Sequence, residues 1–399
     1  MSYNPGPTAS VCLASRGASS RPAARPKAAA GRSRKSNAKS SDKPSGPDDL
    51  LSRYSSKKTA WKLLEAHDAK LSKRLRHCGY VARAFSVDLV GNAATGKAGL
   101  LGLKSCSSIW CCPACAPRIA AKRKDELDKL LAGARQAGLA PVMLTLTAAH
   151  SRATCLAPFL DALKRAKKRM RERQEWKRLP FAGSVTATEV TFGANGHHPH
   201  FHEIILLDCP SADAVQHMET LRSVWLRCLE AFGLTGNDAA FHVQPAAAVG
   251  QYVGKFAAAC EVALSGNKQG RKASRTPWQL LADAGNGDRV AAAAWVEFAL
   301  AFRSRRQLVW SPGLKARFCI DEKDDAELSA EVDPLDAGEL PVLRSWFGCS
   351  SEWKAARKRR CQLVHAARSG GDLDAAEFGQ PDNVLWHRMG GDSVLEPSD

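Results

Sequence analysis

His200-Phe201-His202 is followed by Glu203-Ile204-Ile205-Leu206-Leu207, so a pair of imidazoles opens an apolar, β-prone stretch. At the two-residue period of a strand, both rings point to one face. Two neutral imidazoles on one face make half of a divalent-metal site. Upstream, Ser184–Phe192 is rich in Thr and Val and reaches the histidines through Asn195-Gly196, which predicts a β-hairpin. With Asn195-Gly196 as the two-residue turn, Thr191 lies opposite His200 and Glu189 opposite His202. Opposed residues share a face, so Glu189 is the candidate third ligand. Pro199 has no N–H for the ladder and predicts an irregular start to the strand.

A second cluster has different chemistry. Cys106-x5-Cys112-Pro-Ala-Cys115 is a CxxC knuckle with a third cysteine upstream. Thiolates at this spacing suit tetrahedral zinc, and closed sites of this kind hold structure rather than catalyse. Cys78 is the preferred fourth ligand, because the segment between it and Cys106 reads as a returning hairpin; Cys111 and His77 are the alternatives. A redox CxxC expects a strand-to-helix setting without the extra cysteines. The remaining cysteines read as small buried residues.

The chain has four tyrosines, at 3, 54, 80 and 252. The first two sit in or near a polar N-terminal stretch. Gln251-Tyr252-Val-Gly-Lys255 places a phenol and an ammonium one helical turn apart on one face. A core tyrosine would explain Tyr252 by itself, but its place on a helix after the histidine hairpin makes it a candidate nucleophile. Lys255 is then a candidate to stabilise the attacked phosphate or the developing phenolate.

The elements that must position these groups can be read around them. At 399 residues the chain has room for two or three domains and a sizeable core. Residues 1–50 are rich in Ser, Ala, Pro, Gly, Arg and Lys without apolar periodicity, which predicts a disordered basic tail. Residues 51–137 read as an N-terminal helical and zinc-knuckle region. Residues 138–320 hold the histidine hairpin and read as the catalytic domain, and 321–340 is an acidic linker. Residues 341–399 end the chain as a helical segment and polar tail. Strands are expected at 85–89, 100–104 and 141–147, and helices at 117–137, 156–177, 212–232, 246–264 and 276–302. The helix from Leu156 carries Lys164, Lys167, Lys168 and Arg171, which could track DNA phosphates.

Lys and Arg number 58 against 40 acids, a formal net charge of +18, and nucleic acid is the obvious polyanion for such an excess. No apolar run reaches the ~18 residues of a bilayer span, and no signal-like apolar region is read, so no membrane role is expected; thirteen scattered cysteines, dense only where their spacing suits a metal, fit a reducing cytoplasm.

Together these segments resemble the HUH endonucleases, and more closely the plasmid rolling-circle replication initiators of the type 1 family first described from Gram-positive plasmids. The matching pieces are Cys106–Cys115, the strand Leu144–Thr147, Glu189, His198-Pro-His-Phe-His202 and Tyr252-Val-Gly-Lys255, over about Cys78 to Phe318. Leu308–Lys315 adds to the likeness. The resemblance implies an α+β fold with a central antiparallel sheet of RRM-like type, the histidine strand in its middle and the tyrosine helix beside it. It implies Mg²⁺ or Mn²⁺ held by His200, His202 and Glu189, and attack by Tyr252 on plasmid origin DNA to leave a 5′-phosphotyrosine and a 3′-OH. A host helicase and polymerase are the implied partners, with a dimer on the DNA as one arrangement. In one respect the chain departs from some relatives, which carry a Glu four residues before the tyrosine: here that residue is Ala248. A mobilisation relaxase or single-strand transposase is the nearest alternative. A zinc-bearing DNA-binding regulator without catalysis is the alternative of another class.

Overall fold

The computed structural model describes residues 47–256, 274–330 and 340–378. Residues 1–46 of the expected tail, the end of the expected linker and the polar C-terminus lie outside the described residues, while residues 47–50 already belong to a helix. Helices α1 (Pro47–Leu64) and α2 (Ala69–His77) precede a hairpin of β1 (Ser86–Asn92) and β2 (Lys97–Leu101). The cysteine loop leads into α3 (Cys115–Gln136), β3 (Ala140–Leu146), α4 (Leu156–Arg171) and the single turn α5 (Gln174–Lys177). The long hairpin β4 (Phe181–Gly193) and β5 (Gly196–Leu207) follows. Next come α6 (Ala214–Glu219), α7 (Arg222–Glu230), β6 (Phe241–Gln244) and α8 (Ala246–Phe256). After the break come α9 (Pro277–Gly285), α10 (Arg289–Ala301), β7 (Leu308–Trp310), α11 (Leu314–Arg317) and α12 (Asp325–Ala330). The last segment holds β8 (Val342–Phe347), α13 (Ser351–Ala356), α14 (Arg360–Ser369) and α15 (Leu373–Phe378).

The class is α+β with antiparallel sheets and flanking helices. The larger sheet runs β6-β3-β5-β4-β7, so the histidine strand is its centre. Being central, β5 is covered on both sides. Phe201, Ile205 and Leu207 pack with α4, α6 and α7, and the alternate residues Ile204 and Leu206 pack with α3 and α8. The smaller sheet, β2-β1-β8, joins an N-terminal hairpin to a C-terminal strand that the sequence reading did not anticipate. Val87, Leu89 and Trp346 point inward there onto Trp353, Leu363 and Val364 of α13 and α14.

The expected single helix over 212–232 is two, broken at Thr220-Leu221. The helical region 276–302 is likewise two helices. Thr276 and Gln279 form a capping box for α9, and Asp288 caps α10 by accepting from the N–H groups of Val290 and Ala291. Helix α8 is described to Phe256, and the rest of the expected 246–264 helix lies outside the described residues.

The hairpin register differs from expectation by two residues. Glu189 pairs with His200, Thr191 with His198 and Ala187 with His202. The reason lies in the turn: a type I′ turn at Asn195-Gly196 needs positive φ at both residues. Among the described residues with positive φ Asn195 is absent, whereas Gly196 has φ +84°, so Ala194-Asn195 form the loop and Gly196 starts β5. Because the shift is even, every side chain keeps its face.

Helix α4 also corrects an expectation. Lys164 and Lys168 are exposed, but Lys167 and Arg171 turn onto the sheet and pair with Glu203, whose side chain is fully buried. Lys167 Nζ also donates to the Thr186 hydroxyl, and Arg171 donates to Ser184 at 2.8 Å. Four residues apart on one helix face, the two cations meet a charge that an otherwise apolar strand buries. They are not available to phosphates.

Glu203→Ala leaves two largely buried cations without their carboxylate. A loss of about 3–5 kcal/mol in unfolding free energy by urea denaturation is expected. A loss below about 1 kcal/mol would mean that the charges are already hydrated.

Candidate active site and metal centre

Strand β5 presents His198, His200 and His202 to the face that α8 covers in part. The centroids of His200 and His202 are 4.7 Å apart. Because the register sets Glu189 opposite His200 and diagonal to His202, one carboxylate oxygen reaches both. Glu189 Oε2 is 3.6 Å from His200 Nε2 and 3.4 Å from His202 Nε2. Two ligand atoms at about 2.1 Å from one cation are separated by about 3.0–3.5 Å, so the three side chains fit a shared divalent ion. All three are at least partly accessible.

The opposite ring nitrogens fix which lone pairs point at Glu189. His200 Nδ1 lies 3.4 Å from the His198 carbonyl, which can only accept, so a neutral His200 keeps its proton there and its Nε2 free. His202 Nδ1 contacts the Thr145 hydroxyl of β3 at 3.0 Å, and Thr145 is its cross-strand partner. Such backing holds an imidazole for ligation through Nε2. Further along, Thr147 donates to the Pro199 carbonyl at 3.1 Å, so it accepts from His198 Nε2 at 3.1 Å. That bond steadies the strand where proline has removed an N–H. Burial would raise the carboxyl pKa of Glu189, but hydrogen bonds to His200 and His202 and their charges hold it well below the ordinary range.

Tyr252 reaches the same place from α8. Val249 and Val253, buried against Met143, Ala187 and Ile204, anchor the helix on either side of it. The phenol ring stands 4.9 Å from the His202 ring, centroid to centroid. Burial first, then the charge of Glu189 and a hydrogen bond to its carboxylate, push the phenol pKa well above its usual value. Four of the candidate residues therefore meet: Glu189, His200, His202 and Tyr252. Lys255 lies on the same helix, but its side chain lies outside the described residues. Ala248 is partly buried against the same core and supplies no acid.

The cysteine cluster is separate and closed. Cys78, Cys106, Cys112 and Cys115 are buried, with their ligand atoms all within 4.8 Å of one another. The Sγ separations are 3.7 Å for Cys78–Cys112, 3.4 Å for Cys78–Cys115 and 3.7 Å for Cys106–Cys115. Four sulfurs around zinc at about 2.3 Å stand about 3.8 Å apart, so this group can hold such a metal. Of the three candidates for the fourth position, Cys78 joins the group, and Cys111 and His77 do not. Cys111 is buried beside Ser108, and burial pushes its thiol up to about 12.

Sequence reasoning gave Glu203 no role, and it placed Thr145, Thr147 and His198 in matching motifs without foreseeing the contacts they make. Thr145 and Thr147 lie in the strand that the sequence had flagged, and only the pairing of β3 with β5 shows their role. Glu203 left a signal, an acid inside an apolar run with basic residues four apart on an earlier helix. Lys315, in the Leu308–Lys315 segment, is buried against Glu126 of α3 at 3.2 Å and so braces the sheet to that helix.

Residues 100–230 match a family model described as replication protein. The chain is also similar to a protein rep of Streptomyces lividans, 26% identical over 368 residues covering 72% of this chain and 80% of that protein. A neomycin resistance protein of Streptomyces cyanogenus is 30% identical over 148 residues, which cover 30% of this chain and 34% of that protein. No solved structure matches. The family match takes in Cys106, Cys112, Cys115, Glu189, His200 and His202, and stops short of Cys78 and Tyr252.

The two clusters should separate on substitution. Cys112→Ser is expected to abolish stoichiometric zinc in the purified protein and to lower its melting temperature, as chelation of the parent should. His202→Ala is expected to keep both the zinc and the melting temperature. Equal stability of Cys112→Ser and the parent would argue against a structural metal.

Proposed function

We propose that this chain, a plasmid Rep protein by its family match and its Streptomyces lividans relative, starts replication by cutting one strand of the plasmid origin with Tyr252. The observation that carries this reading is the meeting of a phenol, two imidazoles and a carboxylate at the centre of the larger sheet. The HUH-type, RRM-like identity of that sheet belongs to the same reading. It rests on the central place of the histidine strand and on the tyrosine helix packed across its face.

His200, His202 and Glu189 would hold the Mg²⁺ or Mn²⁺ of such enzymes, which when bound supplies Lewis-acid polarisation of a phosphate oxygen. The Tyr252 oxygen attacks phosphorus as it loses its proton. An O–P bond forms to the phenol, the P–O3′ bond breaks, and the departing 3′ oxygen takes up a proton to become a hydroxyl. The product is a 5′-phosphotyrosine, and its retained phosphoester lets the strand be rejoined without ATP. Lys255, one turn along α8, stabilises charge at the attacked phosphate. The free 3′-OH is the primer that a host polymerase extends, with a host helicase opening the duplex ahead. Lys164 and Lys168, the exposed half of the basic α4 face, track phosphates of the bound strand. The four-cysteine group holds zinc and keeps α2 and the start of α3 together.

The test uses purified protein, Mn²⁺ and a single-stranded origin oligonucleotide, with covalent adducts read on denaturing gels. The parent should form an adduct that chelation prevents. Tyr252→Phe should lose it entirely while binding the oligonucleotide within about twofold of the parent, since one hydroxyl is removed from a helix held by other residues. His202→Ala should reduce adduct formation by at least about a hundredfold. An adduct formed by Tyr252→Phe would move the nucleophile elsewhere. Unchanged plasmid maintenance with Tyr252→Phe would favour a non-catalytic regulator.

A further inference from the structure

The proposed cut needs a proton at the departing 3′ oxygen, and delivering one to a leaving group is the work of a positioned acid. Glu189, His200 and His202 are turned toward one another as ligands, and Tyr252 acts on the opposite side of phosphorus. The histidine face continues beyond them. His150, His198, His200, His202 and Tyr252 form one run of rings, with successive centres 4.8, 5.5, 4.7 and 4.9 Å apart.

His150 stands in the loop between β3 and α4, half-buried, with its ring centre 6.2 Å from that of Phe159 on α4. The backbone on either side of it is fixed. Ala149 donates its N–H to the Thr235 carbonyl at 2.7 Å, and Ser151 donates its own to the Thr154 hydroxyl at 3.0 Å. The His150 imidazole makes no hydrogen bond to another described residue. A loop histidine is often only a solvated side chain, but this one is packed between Phe159 and a histidine of the site's own strand.

In-line displacement sets the entering and leaving oxygens on opposite sides of phosphorus. Tyr252 enters beside His202, so the 3′ oxygen departs toward the other end of the run, where His198 and His150 stand. A neutral His198 donates its Nε2 proton to Thr147 and has no second proton to give. We propose that His150 is a catalytic residue of the cut, the general acid that protonates the departing 3′ oxygen. As the P–O3′ bond breaks, an N–H bond of the His150 imidazolium breaks and an O–H bond forms, leaving a neutral imidazole and the 3′-OH. When the strand is rejoined, the same imidazole takes that proton back. The inference rests on reading Tyr252 as the nucleophile.

The test follows adduct formation by the purified full chain with Mn²⁺ on two single-stranded origin oligonucleotides. One has the natural 3′ oxygen at the cut, and the other has sulfur in its place. A thiol ionises near ~8.5, as cysteine does, so the sulfur leaves without a donated proton. On the oxygen substrate His150→Gln should be slower than the parent by at least about a hundredfold, the size of a lost general acid. On the sulfur substrate it should stay within about threefold of the parent. His242→Gln is the control, an exposed histidine of the same sheet face that lies across Thr145 from His202, and it should match the parent on both. Equal slowing of His150→Gln on the two substrates, or no slowing, overturns the inference, as does the sulfur-rescued pattern appearing in His242→Gln. Should His150→Gln lower the melting temperature, the decision passes to His150→Ala, where recovery of the oxygen substrate by added imidazole supports the acid and its absence overturns it. If the parent forms no adduct on either substrate, or Tyr252→Phe still forms one, the nuclease reading itself fails and the inference falls with it.

Discussion

A strand shows successive side chains to opposite faces, and β5 places two unlike demands on that alternation. One face carries His198, His200 and His202, which must stay polar and reachable. The other carries Phe201, Glu203 and Ile205, which must be sealed under α4 and α7. The two sets interleave residue by residue, so sliding β5 by one position would bury the imidazoles and expose the core. The site is therefore as firmly placed as the hydrophobic core. Glu203 strengthens the constraint, because only this register brings its charge to Lys167 and Arg171.

The two candidate metal clusters differ in burial in the way a structural site and a reactive site would. Four buried thiols gathered within 4.8 Å of one another leave no position for a substrate. Two imidazoles and a carboxylate, partly accessible and confined to one side of a sheet, leave the remaining directions open. Their backing differs in the same sense. The imidazoles are oriented by a backbone carbonyl and by Thr145 on the neighbouring strand. The thiols are bound into the helical block of α1, α2, α9 and α10, where Cys78, Cys106, Cys112 and Cys115 share one apolar cluster with Leu64, Leu75 and Trp295.

Much of this could be read from the chain because it depended on local period. The HxH pair, the Glu-bearing partner strand and the CxxC knuckle are short patterns whose geometry follows from strand and loop spacing. The register was misread by two residues because turn type depends on φ, which Asn-Gly favours but does not enforce. Glu189 kept its place only because an even slip preserves faces. Lys167 and Arg171 were misassigned for another reason: their fate depends on a buried acid on a strand more than thirty residues away. Strand β8 lay further still from legibility. It pairs with β1 across some 250 residues of chain, for example Asp88 with Ser345, and nothing in either segment names the other.

The state of the phenol follows from the same packing. Tyr252 must leave water to reach the histidine face, and burial favours its neutral form. Glu189 favours it further, because a carboxylate close to a phenol opposes a second negative charge. A nucleophile needs the opposite. On the proposed reading the two conditions are reconciled by the ligands themselves, since any cation shared by Glu189, His200 and His202 offsets the charge that holds the proton on Tyr252. Activation would then be tied to assembly of the complete site, and a chain without its cation or its DNA would keep a protonated, unreactive phenol. If the proposed cut commits a plasmid to a round of synthesis, that coupling is the property the arrangement most directly provides.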